Sequence, residues 1–175
     1  MLNDMKKIIS IFLLLVFLPA CGYQLAGRGA GTGNTAGKYK VFVRMFRNDS
    51  WEPLVEKDVT AALKDEIAID GRWMLTDKDD ADILVSGKVK KVELEPLSYD
   101  PQERILEYRL IMHMDVKVSD IKTKKVIWKK SDFTSFADYR VTVDVTKSKI
   151  RREEAIKYAS KRFAEEFIIR VLDTF

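Results

Sequence analysis

Across 175 residues there is one cysteine, one histidine and four prolines. A lone Cys21 cannot close an internal disulfide, and with only His113 beside it in the inventory it cannot build a Cys/His zinc site. Neither sign of charge dominates. The 31 Lys+Arg against 27 Asp+Glu leave a net +4, too weak a field over this length to imply nucleic acid by itself. Apolar residues make up 46% of the chain, ordinary for one globular domain and too many for a disordered one. Long apolar runs are also missing except at the start, and even that one falls short of the roughly 20 residues a membrane span needs.

That run is Ile8 to Leu18, apolar at ten of eleven positions, preceded by Lys6-Lys7 and followed by Pro19-Ala20. The layout predicts a secretory signal over residues 1–20. Leu18-Pro19-Ala20-Cys21 further resembles the bacterial lipobox, in which the cysteine is acylated before the leader is cut away. A free thiol outside the cytoplasm is an oxidation liability, whereas a thioether-linked diacylglycerol removes the thiol and supplies an anchor. Two or three acyl chains, at ~0.8 kcal/mol per buried CH₂, hold a protein firmly at a membrane. Gly22, in place of an acidic residue after the cysteine, points to the outer membrane. Residues 21–38 hold six of the eight glycines, five of them between Ala26 and Gly37, and no bulky run after Leu25, which reads as a tether. Its glycines do not make a nucleotide loop, because Thr32 replaces the P-loop glycine and no strand precedes them.

Residues 39–175 read as a single α+β domain. Tyr39–Phe46 alternates as a strand, closed by a turn over Arg47–Ser50. A helix follows, capped near Ser50, with Pro53 in its first turn, a stripe of Val55, Val59, Ala62, Leu63 and Ile67, and Gly71 as its stop. A short strand at 73–76 is possible. Ile83, Val85, Gly87 and Val89 share one parity and Val92 and Leu94 the other, which predicts a β-bulge near Lys90-Lys91. Pro96–Pro101 reads as a loop. From Arg104 to Ser119 every even position from Leu106 to Val118 is apolar, one face core and one face wet. Asp120–Thr123 turns the chain into a strand from Lys125 to about Phe136. The last helix, roughly Ser148–Leu172, carries Ile156, Ala159, Phe163, Phe167 and Val171 on one stripe, with Ile168, Leu172 and Phe175 beside it; that apolar face is either core or partly a protein contact. These elements predict a two-layer sandwich: a mainly antiparallel or mixed sheet of about four strands with two long helices on one face.

Catalysis finds no constellation. His113 lies on a polar strand face without a nucleophile, and Asp77, Asp79, Asp80 and Asp82 lack the ligand spacing of a calcium loop. The chain reads as a non-enzyme with no metal or cofactor beyond the acyl chains on Cys21. Basic residues gather at Lys88, Lys90 and Lys91, at Lys122 to Lys130, and at Arg140, Lys147, Lys149, Arg151 and Arg152. These are either solvated faces or phosphate contacts. For an exported protein the phosphorylated partner would be membrane lipid, with no nucleic acid expected.

Several segments together resemble the LptE family of lipopolysaccharide-assembly lipoproteins. They are the lipobox running into Cys21-Gly22-Tyr23, Phe46-Arg-Asn48, Glu52-Pro53 with Glu56, Ala81-Asp-Ile-Leu-Val-Ser-Gly87, Glu107-Tyr-Arg-Leu-Ile-Met112, and the helix from Glu154-Ala-Ile156 to Leu172. The resemblance implies an outer-membrane lipoprotein facing the periplasm, plugging the LptD β-barrel translocon, assisting its assembly and contacting lipopolysaccharide. It further implies lipid A phosphate contacts from basic residues near the loop before the long strand and the loop before the last helix. The nearest positions are Arg104, Arg140, Lys147 and Lys149. The alternative is a periplasm-facing scaffold lipoprotein of another envelope or secretion assembly that does not bind lipopolysaccharide.

Overall fold

Residues 39–172 are described by the computed structural model, so the expectations for residues 1–38, Cys21 among them, and for Phe175 lie outside the described residues. The chain order is β1 (Tyr39–Val43), β2 (Arg47–Asn48), α1 (Val55–Asp70), β3 (Trp73–Leu75), β4 (Ile83–Tyr99), β5 (Ile105–Asp120), β6 (Val126–Arg140) and α2 (Val145–Leu172), with a 3₁₀ turn at Lys78–Asp80. The strands form one six-stranded mixed sheet, ordered β3-β1-β4-β5-β6, with β2 on β4. β1 runs parallel to β3 and β4, whereas β4, β5 and β6 are antiparallel. Six strands replace the expected four because the segment read as a turn at Arg47–Ser50 contains β2, and β3 is formed.

From Leu110 to Val118 the alternation on β5 sorts its residues as the pattern predicts: Leu110, Met112, Met114, Val116 and Val118 are buried, while the odd positions between them are not. Leu106, expected on the core face, is exposed at the strand's start, and Ser119 is buried at its end. The phase slip on β4 is a real irregularity: the register with β5 shifts between Val89 and Lys91, which lets Val89 and Val92 both point inward. A second, unanticipated slip lies on β6 between Lys130 and Phe133, where Asp132 has φ 54° and its amide donates to Asp115 Oδ1 at 3.0 Å. It puts Phe133, Ser135, Ala137 and Tyr139 on the inner face.

Several boundaries differ from the sequence reading: β1 ends at Val43 rather than Phe46, α2 starts at Val145 rather than Ser148, and three further ones have a local cause. Pro96 does not start a loop: β4 continues to Tyr99, with Pro96 beside a register shift, where a missing N–H is tolerated. β6 runs on to Arg140. Helix α1 begins only after Leu54, which adopts a left-handed φ of 65° and gives no side-chain cap, so neither Ser50 nor Pro53 starts it. Its stop is as expected, since Gly71 at φ 72° donates its N–H to the Ile67 carbonyl at 3.1 Å.

Both helices contribute to the core on the sheet's inner face. Phe163 and Phe167, one turn apart on α2, tie its layers together. Phe163 meets Phe46 and Phe133 at centroid distances of 5.8 and 5.1 Å, and Phe167 meets Trp73 and Trp128 at 6.5 and 5.5 Å. One helical face therefore binds residues from both edges of the sheet. Most of the apolar width at the end of α2 is core: Phe167, Ile168 and Val171 are buried, and Ile169 is exposed.

Candidate functional site

Length decides what projects. β4 has 17 residues, about 55 Å at strand rise, against about 42 Å for the 28 residues of α2. The β4–β5 hairpin carries apolar side chains that no helix covers: Leu97, Tyr99 and Leu106 are 41%, 57% and 44% exposed. The Val141 amide donates to the Leu106 carbonyl at 2.8 Å, so the loop leaving β6 starts beside this tip. Val143 and Val145 follow on that loop and the first turn of α2, 96% and 81% exposed.

The tip loop is built around Asp100. Its Oδ1 accepts from the Gln102 and Arg104 amides at 2.9 Å each, and its Oδ2 accepts from Arg104 Nε at 2.7 Å. These bonds, the Arg104 backbone amide foremost, hold the Asp100 carboxyl below the usual range. They also fix the base of the Arg104 side chain while its outer part stays in solvent. The other loop is stapled by Ser148, whose Oγ accepts from the Thr142 amide at 2.9 Å and donates to the Thr142 carbonyl at 3.0 Å. Asp144 caps α2 through the Lys147 amide at 3.1 Å.

Arg104, Arg140 and Lys147 fall at this end of the molecule, and Lys149 follows Lys147 on α2. Arg140 stands opposite Glu107 on β5, three residues from Arg104, and Lys147 sits in the first turn of α2. They do not converge on one pocket. Arg140 lines a cleft of about 490 Å³ with Arg151, Glu154 and Tyr158, whereas Lys149 lines another of about 550 Å³ with Trp51, Leu54 and Arg152. Lys147 and Lys149 are exposed, near Asp144 at 3.6 Å and Glu153 at 4.0 Å. Such exposed pairs contribute little and leave both ammonium groups available.

The other basic runs separate by their pairing. Lys90 pairs with Asp132 at 3.3 Å, Lys91 with Glu93, and Lys122 with Asp82 at 3.0 Å, so these are balanced surface pairs. His113 is neighbour-paired, with Nε2 3.1 Å from Glu93 and Nδ1 3.2 Å from Asp132. Lys88 and Lys129 instead join Arg44, Arg47 and Lys117 around a cleft of about 310 Å³ on the outer face of the sheet. Three of those five lie outside the runs singled out in the sequence, because only the strand register assembles them.

Several residues of the segments that carry the resemblance build one joint. Asn48 Oδ1 accepts from Ser50 N and Oγ at 2.9 and 2.7 Å, and its Nδ2 donates to the Glu52 carbonyl at 2.7 Å and to Glu56 Oε2 at 3.0 Å. Glu52, 6% exposed, is paired with Arg152 on α2, and that guanidinium lies 4.5 Å over the Trp51 ring. Their role is to lock the loop before α1 against α2.

Among the described residues no group of three or more His, Cys, Asp or Glu could hold a metal, and no helix is long and apolar enough to cross a membrane. No curated protein matches the chain. Solved structures resemble it in fold. They include the rare lipoprotein B from Shewanella oneidensis (16% identity, 75% of this chain and 96% of that one, TM-score 0.51). A hypothetical protein from Chlamydia trachomatis (12%, 77% and 95%, TM-score 0.51) and an uncharacterized lipoprotein B from Nitrosomonas europaea (13%, 75% and 80%, TM-score 0.50) are also similar. The family described as LptE, lipopolysaccharide-assembly, matches residues 40–171, which span β1 to the last turn of α2. With the joint, the sheet and both helices all inside that match, the chain belongs to the LptE family, a non-enzymatic family of lipopolysaccharide assembly.

Proposed function

We propose that this protein is an outer-membrane lipoprotein, anchored through acyl chains on Cys21, that plugs an LptD-type β-barrel, assists its assembly and contacts lipopolysaccharide with its β4–β5 end. The observation that carries the lipid contact is the coincidence at one end of uncovered apolar side chains with cations. Leu97, Tyr99, Leu106, Val143 and Val145 are exposed there; Arg104 is in the tip loop, Arg140 stands opposite Glu107, Lys147 is in the first turn of α2, and Lys149 follows it in the neighbouring cleft. An anionic glycolipid presents the complement, acyl chains next to phosphates. Apolar burial supplies affinity and charge-assisted contacts to phosphate supply orientation. Membership of the family supports the partner and the pathway.

The test has two arms. Charge reversal at Arg104, Arg140 and Lys147 together should weaken lipopolysaccharide binding by the full-length protein by about tenfold or more. Unchanged binding rejects these residues. A pull-down of the acylated protein from solubilised outer membrane should recover a large β-barrel in near-equal amount. Its absence would favour a scaffold in another envelope assembly.

A further inference from the structure

The outer face of the sheet carries a group of cations that the tip does not use. Register places them: Arg47 on β2 lies beside Lys88 on β4, Ser86 lies beside Lys117 on β5, and Lys117 lies directly opposite Lys129 on β6. Arg44, in the link from β1 to β2, completes the ring around the cleft of about 310 Å³. Like charges directly opposite one another in an antiparallel pair are destabilising, and the Lys117–Lys129 pair is such an arrangement. Little nearby compensates it. The one carboxylate lining the cleft is Asp115, whose Oδ1 already accepts from the Asp132 amide at 3.0 Å and lies 3.9 Å from Lys90 Nζ. Lys88 has Asp49 at 3.2 Å; Arg44, Arg47, Lys117 and Lys129 make no ion pair among the described residues.

We infer that this cleft is an anion site that takes a phosphoryl group, held by Arg44, Arg47, Lys88, Lys117 and Lys129, with the Ser86 hydroxyl as a neutral donor. Two arginines offer planar forks for phosphate oxygens, and the lysines add point charge from the opposite wall. A bare carboxylate would leave most of these donors unused, whereas a dianionic or bridged phosphate engages several. The concavity favours one or two phosphoryl groups over a flat acidic protein surface. The site is separate from the tip and stands or falls independently of the lipopolysaccharide reading.

Full-length protein in detergent is titrated with pyrophosphate, with sodium chloride at equal ionic strength as the control, and the thermal unfolding midpoint and affinity are read. The wild type should be stabilised by pyrophosphate beyond the salt control, and Lys117→Glu should lose affinity by about tenfold or more. The same substitution sets Glu opposite Lys129, so its ligand-free midpoint should be equal or higher, which separates lost binding from lost folding. Lys129→Gln should also weaken binding, whereas Arg104→Glu with Arg140→Glu should leave it within about twofold. No stabilisation of the wild type beyond salt, or full affinity in Lys117→Glu, overturns the site. A parallel arm with phosphatidylcholine vesicles carrying phosphatidic acid identifies the source. Lys117-dependent vesicle binding assigns a lipid-borne phosphate, and pyrophosphate binding without vesicle binding assigns a soluble one.

Discussion

The Phe46 ring packs directly against Gly87. A methyl group at Gly87 would overlap that ring and would lie 2.7 Å from the Asp115 carbonyl oxygen. Phe46 is 2% exposed and touches Phe163, so the space is needed for the contact between the β1–β2 link and α2. Gly87→Ala is therefore expected to destabilise by about 1–3 kcal/mol through overpacking. Urea unfolding would show a lower midpoint at unchanged slope, and Phe46→Leu in the same chain should recover part of the loss.

Asn48 makes four hydrogen bonds that hold the loop before α1. Asn48→Ala leaves the Ser50 amide and the Glu56 carboxylate without this partner and should cost about 1–3 kcal/mol. Amide hydrogen exchange is the sensitive readout. Protection should fall over residues 50–57, with β5 unaffected.

Glu52 and Arg152 form the buried end of the same joint, with side chains 9% and 27% exposed. Removing one partner strands a charge away from water. Arg152→Leu should cost about 3–5 kcal/mol, and Glu52→Leu added to it should restore a good part, because two apolar groups need no partner. A double-mutant cycle in urea measures the coupling. Additive losses would show that the pair contributes nothing beyond its separate members.

Acid should weaken the outer sheet in a predictable direction. Asp138 accepts from Arg109 Nε and Nη2 at 2.8 and 2.9 Å, and those bonds hold its carboxyl below the ordinary 3.8. A group depressed in the folded state adds stability that is present above its unfolded value and is lost as pH falls through the folded one. The window therefore lies below about pH 4. Stability followed from about pH 5 to pH 2 should fall in the wild type. Arg109→Leu should show a shallower fall, and identical slopes would remove Asp138 from the acid response.

Local pattern carried much of this fold. The even-position alternation of β5, the opposite parities of Val89 and Val92, the Gly71 stop and the Phe163–Phe167 stripe are all short-range consequences of strand and helix periods. Each was legible because one face of each element is buried and the other is not. Pro96 misled because proline marks loops in most contexts, yet here it sits within β4 beside a register shift, where a missing N–H is tolerated. Leu54 was unreadable for the opposite reason: nothing local favours a left-handed leucine, and it follows directly on the loop held by the Asn48 network and the Glu52–Arg152 pair. The second slip at Asp132 was likewise hidden, since its partner is Asp115, seventeen positions away.

The functional residues divide in the same way. Composition and order alone determined the class: an α+β pattern carrying the motifs of a lipopolysaccharide-assembly family. Tertiary structure decided which charges work together. Lys88, Lys90 and Lys91 are neighbours in sequence, yet they pair with Asp49, Asp132 and Glu93, respectively. Arg44, Arg47, Lys88, Lys117 and Lys129 span 85 positions from first to last and meet in one cleft. Strand pairing places residues about 5 Å apart across a sheet regardless of their separation along the chain. Charge clusters made that way leave no trace in a linear reading until the register is known.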